Sequence, residues 1–188
     1  MADLRQQLKT LSADMHRQVD AAYGALPLDT SAGYRRFLSA HAHALLPLER
    51  LLEDNAVTSL LDDWPRRRRS AALRADLQQL GSEPVPATPV RRTVSTGWCW
   101  GALYVLEGSR LGARLLSQRL QAAQPGAPMR YLSHAMNEGL WPAFLQRLQA
   151  QASVCDPQQL HLGVSEAFER FLTAAQTQGA RHAPIAQP

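Results

Sequence analysis

Residues Gly97–Leu116 read GWCWGALYVLEGSRLGARLL, and the fold turns on how that stretch is read. Its apolar content is that of a helix, yet Gly101, Gly108 and Gly112 lie inside it. Each interior glycine costs a helix about 1 kcal/mol relative to alanine. Three in one run therefore point to a compensating contact. Two kinds qualify: another backbone packed very close, or a flat ligand lying against bare backbone where the helix kinks.

Outward from this stretch the pattern is helical throughout. Residues 2–23 form one helix, with Leu4, Leu8, Leu11 and Met15 recurring at helical spacing. Beside that stripe runs a second, Lys9, Ser12, His16, Val19, Asp20 and Tyr23, which puts His16 at the edge of the apolar face. LPLDTS breaks the helix, and Asp29, Thr30 or Ser31 can cap the next. That helix spans 31–54, with Tyr34, Leu38, Leu45, Leu48 and Leu52 as buried positions and Pro47 predicting a kink or a hydrogen-bond gap. DDWP supplies a cap and a first-turn proline for a third helix running to about Leu80. The run Arg66–Arg69 is poorly placed near a helix N-terminus, so it is expected to be solvated or paired with Asp62 and Asp63.

GSEPVPATP, residues 81–89, is the clearest loop. Residues 90–123 read as one helix around the opening stretch, QPGAPM as a second loop, and 133–153 and 157–177 as two closing helices. The last carries Leu162, Phe168, Phe171 and Leu172. No segment shows strand periodicity and none repeats. The expectation is a single compact all-α domain of six to seven helices over residues 1–178, with a fraying tail at 179–188.

Composition is ordinary for a globular chain of 188 residues, with 45% apolar and 19% charged residues. A net charge of +4 suits an acidic small molecule or an acidic protein partner. No basic stripe interleaved with aromatics points to nucleic acid. Cys99 and Cys155 have neither metal spacing nor a disulfide framework, which fits a reducing cytoplasm. Cys99, between Trp98 and Trp100, is expected to be buried and inert. The N-terminus lacks a signal-peptide core, and no stretch reaches the roughly 20 apolar residues of a membrane span.

Of six histidines, His41 and His43 are two apart and point in different directions, His182 lies in the tail, and His134 and His161 have no obvious partner. His16 differs, because Asp20 lies one turn on. A carboxylate there can accept a hydrogen bond from one ring nitrogen and leave the other neutral and basic, as an axial iron ligand must be. An exposed ion pair worth a few tenths of a kcal/mol fits the same spacing. The chain has no Glu-x-x-His pair for a di-iron bundle, no phosphate-cradling glycine loop and no C-x-x-C-H for covalent haem.

LKTLSADMHRQVD and GALYVLEGSRLGARLL together resemble the haem oxygenases, with greatest similarity to the bacterial group found with bacteriophytochromes. The resemblance runs through nearly the whole chain, including W-P-x-F at Trp141 and the phenylalanines of the closing helix. It implies a haem oxygenase-like fold with haem sandwiched between the N-terminal helix and a kinked, glycine-bearing distal helix. It makes His16 the proximal ligand of the haem iron, Asp20 the group orienting it and Lys9 a residue near the propionates. Ser12, Val19 and Tyr104 fall among the haem-binding positions. Gly108 and Gly112 match the glycines that bring bare backbone over the haem. Ala113 stands where many relatives have another glycine. Ser109 stands where the mammalian enzymes carry an aspartate that organises distal water, so other groups must serve here: the Ser109 hydroxyl, backbone carbonyls or a nearby arginine. Phe168 and Phe171 fit haem-edge contacts or ordinary core, and Arg147 fits a propionate partner.

The implied reaction uses haem as substrate and cofactor and opens it with O2 to biliverdin, free iron and CO. Electrons would come from an external reductase or ferredoxin, with Arg66–Arg69 one candidate dock, and a bacteriophytochrome is an implied recipient of biliverdin. Two other readings stay open: a haem-sensing module without turnover, and a helical interaction protein whose Gly108 and Gly112 serve close helix packing.

Overall fold

The computed structural model describes residues 4–82, 92–134, 138–151 and 153–180. All regular structure among them is helical: α1 (Leu4–Gly24), α2 (Ser31–Asp54), α3 (Val57–Leu60), α4 (Trp64–Arg67), α5 (Ser70–Gln79), α6 (Thr96–Gly108), α7 (Arg110–Ala123), α8 (Leu140–Ala150) and α9 (Pro157–Ala180). With the single turns α3 and α4 set aside and α6 and α7 taken as two halves of one kinked helix, six long helices remain. His182, most of the loop at 81–89 and the tail from residue 181 lie outside the described residues, while Gly179 and Ala180 continue α9.

α2 begins where its cap dictates, with the Thr30 hydroxyl accepting the Gly33 N–H at 3.0 Å. Its inward stripe of Tyr34, Leu38, Leu45, Leu48 and Leu52 is fully buried. The helix continues through Pro47 to Asp54. There the Asn55 side chain takes over, donating to the Leu51 and Arg92 carbonyls at 2.8 and 3.0 Å and accepting the Val94 N–H at 2.9 Å. This holds residues 92–95 out of helix, so α6 starts at Thr96, later than the pattern predicts, under a Ser95 cap.

Three further expectations are corrected. The third helix is two pieces, α4 and α5, because the buried Glu49 carboxylate from α2 captures the Arg69 and Ser70 N–H groups at 2.7 and 3.0 Å and the Ser70 hydroxyl. Asp63 makes no cap bond and takes the Arg67 guanidinium instead. The kink expected in the central helix falls at Ser109, where Arg69 Nη2 and the Ser109 hydroxyl donate to the Leu106 carbonyl at 3.0 and 2.7 Å. On α1, Leu11 is 40% exposed, and the core face runs through Leu4, Leu8, Ser12 and Tyr23 instead.

α6 crosses α9 at the centre of the domain. A Cβ at Gly101 would stand 2.1 Å from the Leu160 carbonyl oxygen, and one at Gly163 would stand 2.1 Å from that of Trp98. Only glycine permits backbones this close. Trp98, Cys99 and Trp100 are buried beside the crossing, and burial pushes the Cys99 thiol up to about 11. No helix among the described residues is long and apolar enough to cross a membrane.

Candidate functional site

The site grows where α1 meets α6, with the Ser12 side chain beside the Tyr104 phenol. One turn further along α1 stands His16, and one turn further along α6 stands Gly108. His16 Nδ1 pairs with Asp20 Oδ2 at 2.9 Å, and both side chains are open, at 60% and 66% exposure. Nδ1 is thereby committed and Nε2 is left as the ring nitrogen for a ligand. The Phe168 ring meets the imidazole edge-on at a centroid distance of 6.0 Å. Val19 is half-buried against the core, and Lys9 is exposed on the same helix.

On the distal side the glycines are bare. A Cβ at Gly108 would touch only the Trp141 ring, at 3.6 Å, and one at Gly112 would meet nothing within 4 Å. Tyr104 packs on the same Trp141 ring, centroids 5.7 Å apart. α7 buries only Leu120 and leaves Leu111 and Leu115 exposed at 62% and 57%. An amphipathic helix that leaves large apolar side chains uncovered marks a surface built for a partner or ligand. Ser109 is less available than its position suggests: its hydroxyl hydrogen goes to the Leu106 carbonyl and its oxygen accepts Arg69 Nη2 at 3.0 Å.

Arg66–Arg69 is not a solvated face. Arg67 and Arg69 are 1% and 4% exposed. Arg67 binds Asp63 and Glu107, and Arg69 lies over the Tyr131 ring, 5.3 Å from its centroid. The two outward arginines are paired, Arg66 with Glu138 and Arg68 with Glu53. The run is therefore withdrawn as a donor dock. Helical spacing signals the Asp63 pairing but not the burial, because Glu107 lies 40 residues from Arg67. Behind the kink, Arg69, Arg110, Tyr131, His134 and Trp141 line a cavity of about 200 Å³. Burial, with Arg110 and Arg69 nearby, holds the His134 imidazole below the usual histidine range.

Two other expected site residues stand elsewhere. Arg147 Nη1 binds Asp62 at 2.6 Å and Asp63 at 3.4 Å, so its guanidinium is already matched with carboxylates. Phe171 is 5% exposed in a ring cluster with Tyr23 and His41. The structure thus brings His16, Asp20 and Phe168 together, sets Ser12 beside Tyr104, puts Tyr104 and Gly108 on the Trp141 ring, and sets Arg147 and Phe171 in other contacts.

The donor set tests which group fits. No cluster of three or more His, Cys, Asp or Glu side chains that could hold a metal ion occurs among the described residues. One oriented imidazole suits a metal that arrives with its other ligands in a macrocycle. Open backbone at Gly112 and uncovered Leu11, Leu111 and Leu115 suit a flat apolar ring. The residues fit haem.

Known proteins agree. No family model matches the chain. A "Heme oxygenase" of Xanthomonas campestris is 40% identical over 114 residues, covering 61% of this chain and 64% of that protein, so the chain spans just under two thirds of that relative. "Heme oxygenase PigA" of Pseudomonas aeruginosa is 30% identical over 175 residues, 88% of each chain. The solved NO- and CO-bound heme oxygenase of Neisseria meningitidis shares the fold, with a TM-score of 0.82 at 22% identity over 99% of this chain and 96% of that one. With an oriented histidine on the first helix, a kinked glycine helix and a relative matched over most of both lengths, this chain belongs to the haem oxygenase family.

Proposed function

We propose that this chain binds haem between α1 and α7 and acts as a haem oxygenase, opening the ring with O2 to biliverdin, iron and CO. The observation that carries the reading is the His16–Asp20 pair at 2.9 Å on an otherwise open helix face. A pair there adds little to the fold, whereas it orients an imidazole for a ligand. Bound haem supplies the iron at which O2 is reduced and the ring that is cleaved.

The chain's own residues do the rest. Asp20 holds His16 Nδ1–H and so aims Nε2. Gly108 and Gly112 give clearance on the distal face, while Leu11, Leu111 and Leu115 cover the ring and exclude water. Lys9 is the cation for a propionate. Arg69 keeps guanidinium N–H groups beyond those given to Leu106 and Ser109, and these can hold distal water. Electrons come from an external reductase or ferredoxin, and a bacteriophytochrome is one recipient of the product.

Hemin added to the purified protein is expected to give a histidine-ligated Soret band that bleaches in air with ascorbate as biliverdin absorbance appears. His16→Ala is expected to abolish turnover, and added imidazole to restore part of it. A His16→Ala variant that turns over at the normal rate would refute the assignment of the proximal ligand.

A further inference from the structure

Four buried or partly buried charges meet where α6 breaks into α7, and the proposed chemistry uses none of them. Glu107, on the last turn of α6, is 1% exposed. It accepts Arg67 Nη1 at 2.6 Å, Arg110 Nε at 3.1 Å and Arg110 Nη2 at 3.0 Å. Arg67, with a side chain wholly shielded, also grips Asp63 through Nε at 2.7 Å and Nη2 at 2.8 Å, and donates to the Leu140 carbonyl at 3.1 Å. Arg110 donates in turn to the Arg67 carbonyl. One carboxylate thus ties α6 to α4, to the first residue of α7 and, through Arg67, to the first residue of α8.

Burying charges is a poor way to gain stability, since apolar packing of the same volume often does as well. Forked charge-assisted hydrogen bonds add direction, which apolar packing lacks. Direction is what this point of the chain requires. The helix ladder is interrupted at Ser109, and the first turns of α7 have only the partly buried Ala113 and Leu116 against the core, Leu120 being its only buried residue. The charge cluster is the directed contact at the start of α7.

We propose that Glu107, held by Arg67 and Arg110, is a positioning group that fixes the direction in which α7 leaves α6, and with it the gap that admits haem. The inference rests on the haem-binding reading above and deepens it. The test is hydrogen exchange of the ligand-free full chain together with hemin titration, for Glu107→Gln and Arg110→Met, with Arg66→Ala as a surface control. Amides of residues 111–117 are expected to exchange at least tenfold faster in both variants while α2 and α9 keep wild-type rates. The hemin dissociation constant is expected to rise at least tenfold, and Arg66→Ala to match wild type in both measurements. Unchanged α7 exchange in a folded variant, an equal acceleration everywhere, or faster α7 exchange with unchanged hemin affinity would each overturn it. Should Glu107→Gln fail to fold, Arg110→Lys, which keeps the charge and loses the fork, decides. Failure of the wild-type chain to take up hemin would sink the haem reading alone, and the exchange rates would still judge the direction of α7.

Discussion

The two halves of Gly97–Leu116 use glycine in opposite ways. In α6, a Cβ at Gly97 would stand 3.2 Å from the Asp156 carbonyl oxygen, and one at Gly101 would stand 2.1 Å from that of Leu160. Gly163 returns the contact from α9. In α7 and at the kink, Gly108 would touch only a tryptophan ring at 3.6 Å, and Gly112 would touch nothing. The same residue at the same spacing is required by the protein's own backbone in one half and by nothing in the protein in the other. The first pair builds the fold. The second leaves a surface bare, as the proposed haem site requires.

The strongest attack on this contrast is Gly101→Ala. With no room between α6 and α9, it is expected to lose about 3 kcal/mol of stability in urea unfolding. A loss under about 1 kcal/mol would mean the helices part easily and the two halves are alike. Next is Gly112→Phe, expected to weaken hemin binding about a hundredfold, or about 2.7 kcal/mol, with unchanged helical circular dichroism. Full affinity in that variant would place the open face elsewhere.

The enclosed side also has a histidine of its own, His41. Burial pushes His41 down to about 3, and its Nδ1–H is donated to the Phe37 carbonyl at 2.9 Å. An unfolded histidine protonates below about 6.5 while folded His41 stays neutral, so the unfolded state binds the extra proton. Stability then falls as pH drops below about 6.5, by at most about 1.4 kcal/mol per unit for this group. His41→Gln is expected to flatten the slope of stability against pH between 6 and 4 (about one proton's worth). An unchanged slope in that variant would mean His41 is not sealed from water on the enclosed side. The smallest effect is Gly112→Ala, expected to raise the stability of the ligand-free chain by about 0.5–1 kcal/mol through helix propensity alone.

Much of this was legible in the linear chain because helical neighbours are local. Thr30 caps α2 as its position predicts, and all five inward residues proposed for α2 are buried. The His16–Asp20 pair follows from its spacing of four, and the structure forms it. Arg66–Arg69 was legible only in part: Arg67 pairs with Asp63 as its spacing of four allows, but the burial of Arg67 and Arg69 was not foreseen. Four consecutive arginines look solvated until Glu107, 40 positions away from Arg67, and Glu49, 20 away from Arg69, are brought alongside. Arg147 was legible as a cation but not as the partner of Asp62 and Asp63, some 85 residues distant. Leu11 repeats the lesson in reverse: it has the spacing of a core residue, yet it lies on the uncovered side of α1.

What the amino-acid order determined by itself is the all-helical class, the placement of α1, α2 and α9, the glycine-bearing stretch and the His16–Asp20 pair, since each depends on residues within about one helical turn of one another. Only the tertiary structure decided which glycines meet backbone and which stay bare, where the central helix breaks, and that two of four arginines are buried. Those outcomes depend on packing and charge pairing between segments far apart in the chain, where no local period reaches.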